Sequence, residues 1–234
     1  MFSENYFYSK KWGDWMDNKE IKRRRMWTYF IDATEELIKT EGLQQVTIRN
    51  VAERAGYNSA TIYNYFNEFS HLLFFASFKF LKPYQAKVGS EMNKVDDPVQ
   101  KYIVAWECFS EYSYNNPDIF NAVFLMDLGD HPENLLVHYY ELYPADLLEV
   151  PEALQPIILD RNIITRGRFA LSGIVKSGKL TEEKAEELNE LTNLVWQGMF
   201  SNLLNNRTLY SPKEAHERTM KYVKKIIYFM INSN

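Results

Sequence analysis

The 234 residues carry a formal charge of −4 and a single cysteine, Cys108. One thiol makes no intrachain disulfide, and no Cys/His cluster has zinc-ligand spacing, which excludes a disulfide scaffold and a zinc finger. The length allows one large core or two modest ones, and no stretch reaches the roughly 20 consecutive apolar residues a bilayer span needs.

The start, MFSENYFYSKKWGDW, mixes aromatics with charge where a secretory signal would have an unbroken apolar region. The expectation is a cytoplasmic chain without membrane contact. Charge is unevenly placed: residues 21–85 hold nine Lys/Arg against six Asp/Glu, and residues 86–234 hold fifteen against twenty-one. The two parts therefore face different partners.

Residues 1–19 show no sustained helical period and read as an N-terminal arm, either poorly ordered or docked on the body. From Ile21 a helix begins with the basic cluster Lys22, Arg23, Arg24, Arg25. Phe30, Ala33, Thr34, Leu37 and Ile38 then recur at the spacing of one buried helical face, and Gly42 after Lys39 marks the stop. The basic run is a solvated face, or it lies along a phosphate backbone.

Thr47 is placed to cap the next helix, with Ile48, Val51 and Ala52 on its inner face and Arg49, Asn50, Glu53 and Arg54 outward. Gly56 supplies a turn, and Asn58 caps a second short helix with Ile62 and Phe66 inward. The small Ala52 and the spacing from Ala52 through Gly56 to Ile62 match a DNA-binding helix-turn-helix. Outward lie Ser59, Ala60, Thr61, Tyr63, Asn64 and Tyr65, groups able to meet base edges and phosphates.

From Phe30 through Ile38, then Gly42, Thr47-Ile48-Arg49-Asn50-Val51-Ala52, Ala55-Gly56 and Thr61-Ile62-Tyr63-Asn64-Tyr65-Phe66, the chain resembles the TetR family of bacterial transcriptional regulators. The resemblance covers roughly residues 22–75; beyond it the likeness is one of length and helical character. It implies an all-α fold: an N-terminal three-helix DNA-binding domain over residues 20–70 and a larger helical ligand-binding and dimerisation domain over 71–234. It implies Thr47 and Arg49 at phosphates, Ser59, Ala60 and Asn64 near bases, and Tyr63 and Tyr65 on the backbone. Asn58 stands where serine is common and keeps a cap. Tyr57 replaces a small apolar residue and either adds a DNA contact or fills a packing gap. Phe69 stands where a phosphate-binding lysine is common.

The apolar run Leu72 to Leu81 reads as a connecting helix, ending near Pro83 or somewhat later. Asp97-Pro98 and Asn116-Pro117 mark two helix starts, and Ser211-Pro212-Lys213-Glu214 adds a capping box. Helices are expected over 98–114, 117–128, 152–176, 182–204 and 212–231, with no strand. Trp106, Phe109, Tyr112, Phe124, His138, Tyr139, Arg166 and Trp196 are candidates to line a site for a largely apolar or aromatic small molecule; the same stripe also reads as plain core. Leu188, Leu191, Val195 and Met199, and Tyr222, Val223, Ile226, Ile227 and Met230, either close the monomer or pair with a second copy.

No phosphate-cradling loop, nucleophile elbow or metal-binding helix motif is present, so neither an enzyme nor a cofactor is expected. Asp127, Asp130 and His131 read as turn and cap residues before they read as metal ligands, and His216 as part of a polar helix surface. The expected partners are double-stranded operator DNA, a small-molecule effector and a second copy of the chain.

Overall fold

The computed structural model describes residues 18–129, 133–148 and 160–232; the N-terminal arm up to residue 17 and the expected helix over 152–159 lie outside the described residues. Every regular element among the described residues is helical. The first helix, α1 (Asn18–Glu41), begins at Asn18 and not at Ile21, and buries Phe30, Ile31, Thr34, Leu37 and Ile38. Its end is Gly42, at φ +84°, a conformation that costs a residue without a Cβ little.

The helices α2 (Ile48–Arg54) and α3 (Ser59–Tyr63) follow, packed on each other and, through α2, on α1. Val51, Ala52, Ile62 and Phe66 seal this small core at 2% exposure or less. Then α4 (Phe69–Phe78) packs against α1 with Leu72, Phe74 and Phe75 fully buried.

The connector is not one helix. A 3-10 turn (Lys79–Leu81) separates α4 from α5 (Lys82–Met92), which has Pro83 in its first turn. Proline lacks the N–H that would bond back to the Lys79 carbonyl, and its ring crowds that carbonyl, so the α-pitch breaks there. Lys79 holds the junction: its ammonium meets Asp32 at 2.8 Å, also pairs with Glu35, and lies 5.0 Å from the Tyr143 ring centroid. Burial works against the charges of Glu35 and Lys79, but Lys39 and Lys79 outweigh it at Glu35, lowering the carboxyl, and Asp32 and Glu35 outweigh it at Lys79, raising the ammonium.

The body is built around α6 (Pro98–Asn115), which packs against α5, α10 (Ile163–Lys176), α11 (Glu182–Leu204) and α12 (Pro212–Asn232). Asp97 caps α6 by accepting from the Val99 and Gln100 amides at 2.9 and 3.1 Å. Ser211 and Glu214 form the expected box, with Ser211 N–H donating to Glu214 at 2.8 Å and Glu214 N–H to Ser211 at 3.3 Å.

Three expectations fail for local reasons. Asn116 does not cap the helix after it; its amide turns back to the Tyr112 carbonyl at 3.1 Å and closes the end of α6. The helix expected over 117–128 is a short α7 (Pro117–Phe120) that widens into a π turn (Asn121–Leu125), with Met126 N–H donating to the Asn121 carbonyl at 2.7 Å. His216 is not on a polar surface: it is half-buried, and its Nδ1 lies 2.8 Å from Ser110 Oγ on α6. Where the sequence offered a loop or short helix between His131 and His138, the structure has α8 (Glu133–Leu142), which buries Leu135, Leu136, Tyr139 and Tyr140; α9 (Pro144–Leu148) had no counterpart in the sequence reading.

Candidate nucleic-acid interface and effector pocket

The geometry of the turn rests on local bonds. Thr47 Oγ1 accepts from the Asn50 amide at 3.2 Å, while Asn50 Oδ1 accepts from the Thr47 amide at 2.7 Å and its Nδ2 donates to the Gln45 carbonyl at 3.0 Å. One asparagine thus fixes both the start of α2 and the chain leading into it. At the other end, Tyr57 N–H donates to the Ala52 carbonyl at 2.9 Å and Gly56 N–H to the Glu53 carbonyl at 3.0 Å. This paired closure needs a left-handed residue between, and Gly56 has φ +69°. Asn58 Oδ1 then accepts from the Thr61 amide at 2.9 Å and from its hydroxyl at 3.1 Å, which starts α3.

The result is a short helix whose outer side is open. Ala60, Tyr63 and Asn64 are exposed, Tyr63 at 54%, while Ser59 and Tyr65 are half-buried. Tyr65 rests near Phe30, with centroids 5.8 Å apart. Tyr57 fills the packing gap: its ring packs 5.6 Å from Phe30 and 6.1 Å from Tyr29, and 44% of the residue remains accessible. Thr47, Arg49 and Asn58 are exposed on the same unit. Phe69, half-buried at the start of α4, packs against the core.

Much of the positive charge of this region is spent internally. Arg54 pairs with Glu36 at 2.6 Å and Glu41 at 3.9 Å; Arg24 reaches Glu20 at 3.4 Å and Glu141 on α8 at 3.8 Å; Arg23 lies 5.5 Å over Trp27. Lys22, Arg25 and Arg49 are exposed and form no ion pair with a described residue. Exposed cations of this kind, Arg23 over Trp27 included, can meet a phosphate backbone.

The residues expected around a small molecule divide into two groups. Phe109 is the hub of the first: its centroid is 5.0 Å from Trp196, 5.5 Å from Phe124 and 5.8 Å from Trp106. Arg166 lies 5.1 Å from the Phe124 centroid and Tyr112 flanks Tyr84 at 5.8 Å. The second group is elsewhere, at the junction of α1, α4 and α8. Tyr139 packs 4.6 Å from Phe78 and donates to Asp146 at 2.7 Å, and His138 stands edge-on to Trp27 at 5.6 Å.

Between the groups runs a polar seam absent from the sequence reading. His71 on α4 meets the Leu128 carbonyl at 2.9 Å, and Arg161 donates to the Val123 and Met126 carbonyls at 3.2 and 2.8 Å. The π turn is thereby bracketed by the connector on one side and the start of α10 on the other.

Phe120 and Tyr140, part of the aromatic pattern of the body, are buried in this interior, as are Tyr84, Asn189 and Asn193, which sequence reasoning missed. Tyr84 lies on a helix whose boundary the connector proline obscured. Buried asparagines leave no signal in a hydrophobic pattern. Asn189 is placed by close helix approach: a Cβ on Gly167 would come within 1.9 Å of its Oδ1. Among the described residues no group of acidic, histidine and cysteine side chains is arranged to hold a metal ion, and no helix is long and apolar enough to cross a membrane.

Residues 30–68 match the family model for bacterial regulatory proteins, tetR family. No curated protein matches the chain. Among solved structures, RolR in complex with resorcinol superposes with a TM-score of 0.57 at 16% identity, covering 90% of this chain and 95% of that one. The Thermus thermophilus FadR, a TetR-family transcriptional repressor in complex with lauroyl-CoA, gives 0.55 at 15% identity, covering 86% and 93%. At such identities the superpositions establish a shared fold. Residues 30–68 are thus similar to the N-terminal domain of the tetR family, and the helical fold as a whole is shared with these two structures.

Proposed function

We propose that the protein is a ligand-responsive transcriptional regulator, in which residues 20–70 read DNA and residues 71–234 bind a small effector and pair with a second copy. The observation that carries this reading is α3: a five-residue helix, capped and held by Ile62 from behind, that leaves Ala60, Tyr63 and Asn64 open to solvent. An exposed phenol and a short amide on so small a helix lack a packing purpose, and they suit backbone and base contacts in a major groove.

Arg49 and Thr47, at the start of α2, would meet phosphates beside that groove, with Tyr57, Asn58, Ser59 and Tyr65 completing the contact surface. Pairing of two copies is supported by α11 and α12. Leu188, Trp196, Phe200, Val223, Ile227 and Met230 close the monomer's own core, while Leu194 at 56% and Phe229 at 69% face outward with Leu191 and Tyr222. Gly198 sits on that outward side with nothing within 4 Å of where a Cβ would be, which leaves room for a crossing helix. A two-fold dimer implies a partly palindromic operator, and a dimer seated on it would act as a repressor, released when a largely apolar or aromatic effector enters the body.

Selection of bound fragments from the source genome, followed by gel shift at several salt concentrations, tests the reading. Specific, salt-sensitive binding to a partly palindromic fragment is the expected result; its absence from every fragment overturns it. In the same assay Asn64→Ala should change the preference at one base position by about 1–3 kcal/mol, and a uniform loss across sequences would remove Asn64 from the reading set. Sedimentation of the purified protein reports on pairing, with a monomer at micromolar concentration as the adverse result.

A further inference from the structure

The interior holds a charge that no described carboxylate neutralises. Arg166 stands in the first turn of α10 and is 7% exposed. Its Nη2 donates to the Tyr84 hydroxyl at 3.1 Å and its Nη1 to the Asp160 backbone carbonyl at 3.4 Å, both uncharged acceptors, and its guanidinium lies over Phe124. No described carboxylate forms an ion pair with it. A guanidinium has more N–H donors than these two bonds use. A buried cation without a counter-charge is costly, and the positive end of a helix dipole adds to the cost. Folding alone gives no reason to keep an arginine there, where a methionine would fill the same volume.

A second, independent group points the same way. Tyr140 on α8 is 3% exposed and its hydroxyl has no hydrogen-bond partner. Burial pushes its ionisation up, while Gln85, beside it without hydrogen-bond geometry, and the Arg166 charge draw it down, so the phenol stands within the field of Arg166. Tyr84, wholly buried, is likewise raised by burial and drawn down by Arg166. Tyr84 and the guanidinium share one apolar region walled by Phe109, Phe120 and Phe124, with the Tyr84 ring 6.0 and 5.8 Å from Phe109 and Phe120, and Tyr140 borders it from α8, where it packs on Phe78.

We propose that Arg166, with Tyr84 and Tyr140 as neutral donors, is the receptor for a carboxylate on the effector, and that the Phe109, Phe120 and Phe124 rings take its apolar or aromatic body. The planar fork of a guanidinium matches a carboxylate bidentately. A phosphate monoester carries about −1.5 to −2 at neutral pH, more than one guanidinium offsets. Binding supplies the missing counter-charge, so the bound state gains what the free state lacks. This inference rests on the body being an effector site, but it can fail separately from that reading.

The test pairs acids with their uncharged counterparts: hexanoate, decanoate, benzoate and phenylacetate against the primary amide of each, by calorimetry and thermal shift on the full chain. At least one acid should bind about tenfold or more tightly than its amide, a preference of about 1.4 kcal/mol. Arg166→Met, confirmed folded by circular dichroism, should erase that preference, and Arg166→Lys should keep part of it. Amides binding as well as acids would overturn the carboxylate receptor and leave an effector site standing. No binding by any acid, or an acid preference that survives Arg166→Met, overturns it as well. Specific DNA release by an uncharged ligand alone would support regulation and count against this receptor.

Discussion

The helix-turn-helix and the body satisfy their polar groups in opposite ways. In the first, side chains bond to backbone three residues away: Thr47 with Asn50, and Asn58 with Thr61. In the second, buried hydroxyls and ring nitrogens pair across the chain. Tyr102 meets Thr192 at 2.9 Å, Tyr114 meets Thr219 at 2.7 Å, and Trp196 donates to Ser113 at 2.9 Å. The reading unit is thus specified residue by residue, whereas the body is specified only once its helices have met. A helix as short as α3 gains from local bonds that form with the helix itself. A body built from distant pairs can re-pack as a unit.

The contrast is sharpest where one side chain holds several helices. Phe66 is 2% exposed, stacks on Trp27 at 5.0 Å and meets Phe75 edge-on at 6.1 Å. Phe66→Ala should cost about 3–5 kcal/mol in the N-terminal core, and denaturation followed at Trp27 would register it. If the body unfolds with it in a single transition, the two regions are one cooperative unit.

Thr192→Val tests the body's long-range pairing. The replacement keeps the shape and strands the Tyr102 hydroxyl, whose ionisation burial has already pushed up to about 12. A loss of about 1–3 kcal/mol is expected from chemical denaturation, with DNA affinity of the folded protein unchanged. Asn58→Ala removes a local cap and should cost about 1 kcal/mol, but its effect on DNA affinity should exceed its effect on global stability, because α3 frays first.

The smallest effect is one of pH. Ser110 gives its proton to the Trp106 carbonyl at 2.8 Å, so His216 Nδ1–H is the donor to Ser110. Burial lowers the folded ionisation of His216 from 6.5, against the pull of Glu111, Glu107 and Glu217, while Lys224 lowers it further. A depressed value means the unfolded chain takes up the proton first. The contribution is therefore present above pH 6.5 and is lost as pH falls through the folded value. Melting curves should show this decline in the wild type and not in His216→Gln.

How much of this was legible follows from the same contrast. The inner face of α1, the turn at Gly56 and the caps at Thr47, Asn58, Asp97 and Ser211 depend on neighbours within a few positions, and sequence reveals such neighbours. Asn116 misled because a cap before a helix and a cap after one use the same side chain, and only the backbone decides. The His138 and Tyr139 pair was grouped with Trp106 and Phe109 because both stretches are aromatic; the chain's path puts them against α1 and α4 instead. The cluster at Arg166 was visible as a polar residue among apolar ones. That no described carboxylate pairs with it was not, since that depends on which residues come near it in the fold.

The π turn at Asn121–Leu125 also carries a consequence for how this chain can change. An α-helix closes each turn with one residue fewer, so removing a residue between Asn121 and Leu125 would let the Met126 bond re-form at ordinary pitch. Elsewhere in a packed helix a single deletion rotates every later side chain out of place; here it would be absorbed within one turn. The segment is therefore a place in the body where a one-residue deletion can be absorbed, reshaping the wall that carries Phe124 without disturbing α7.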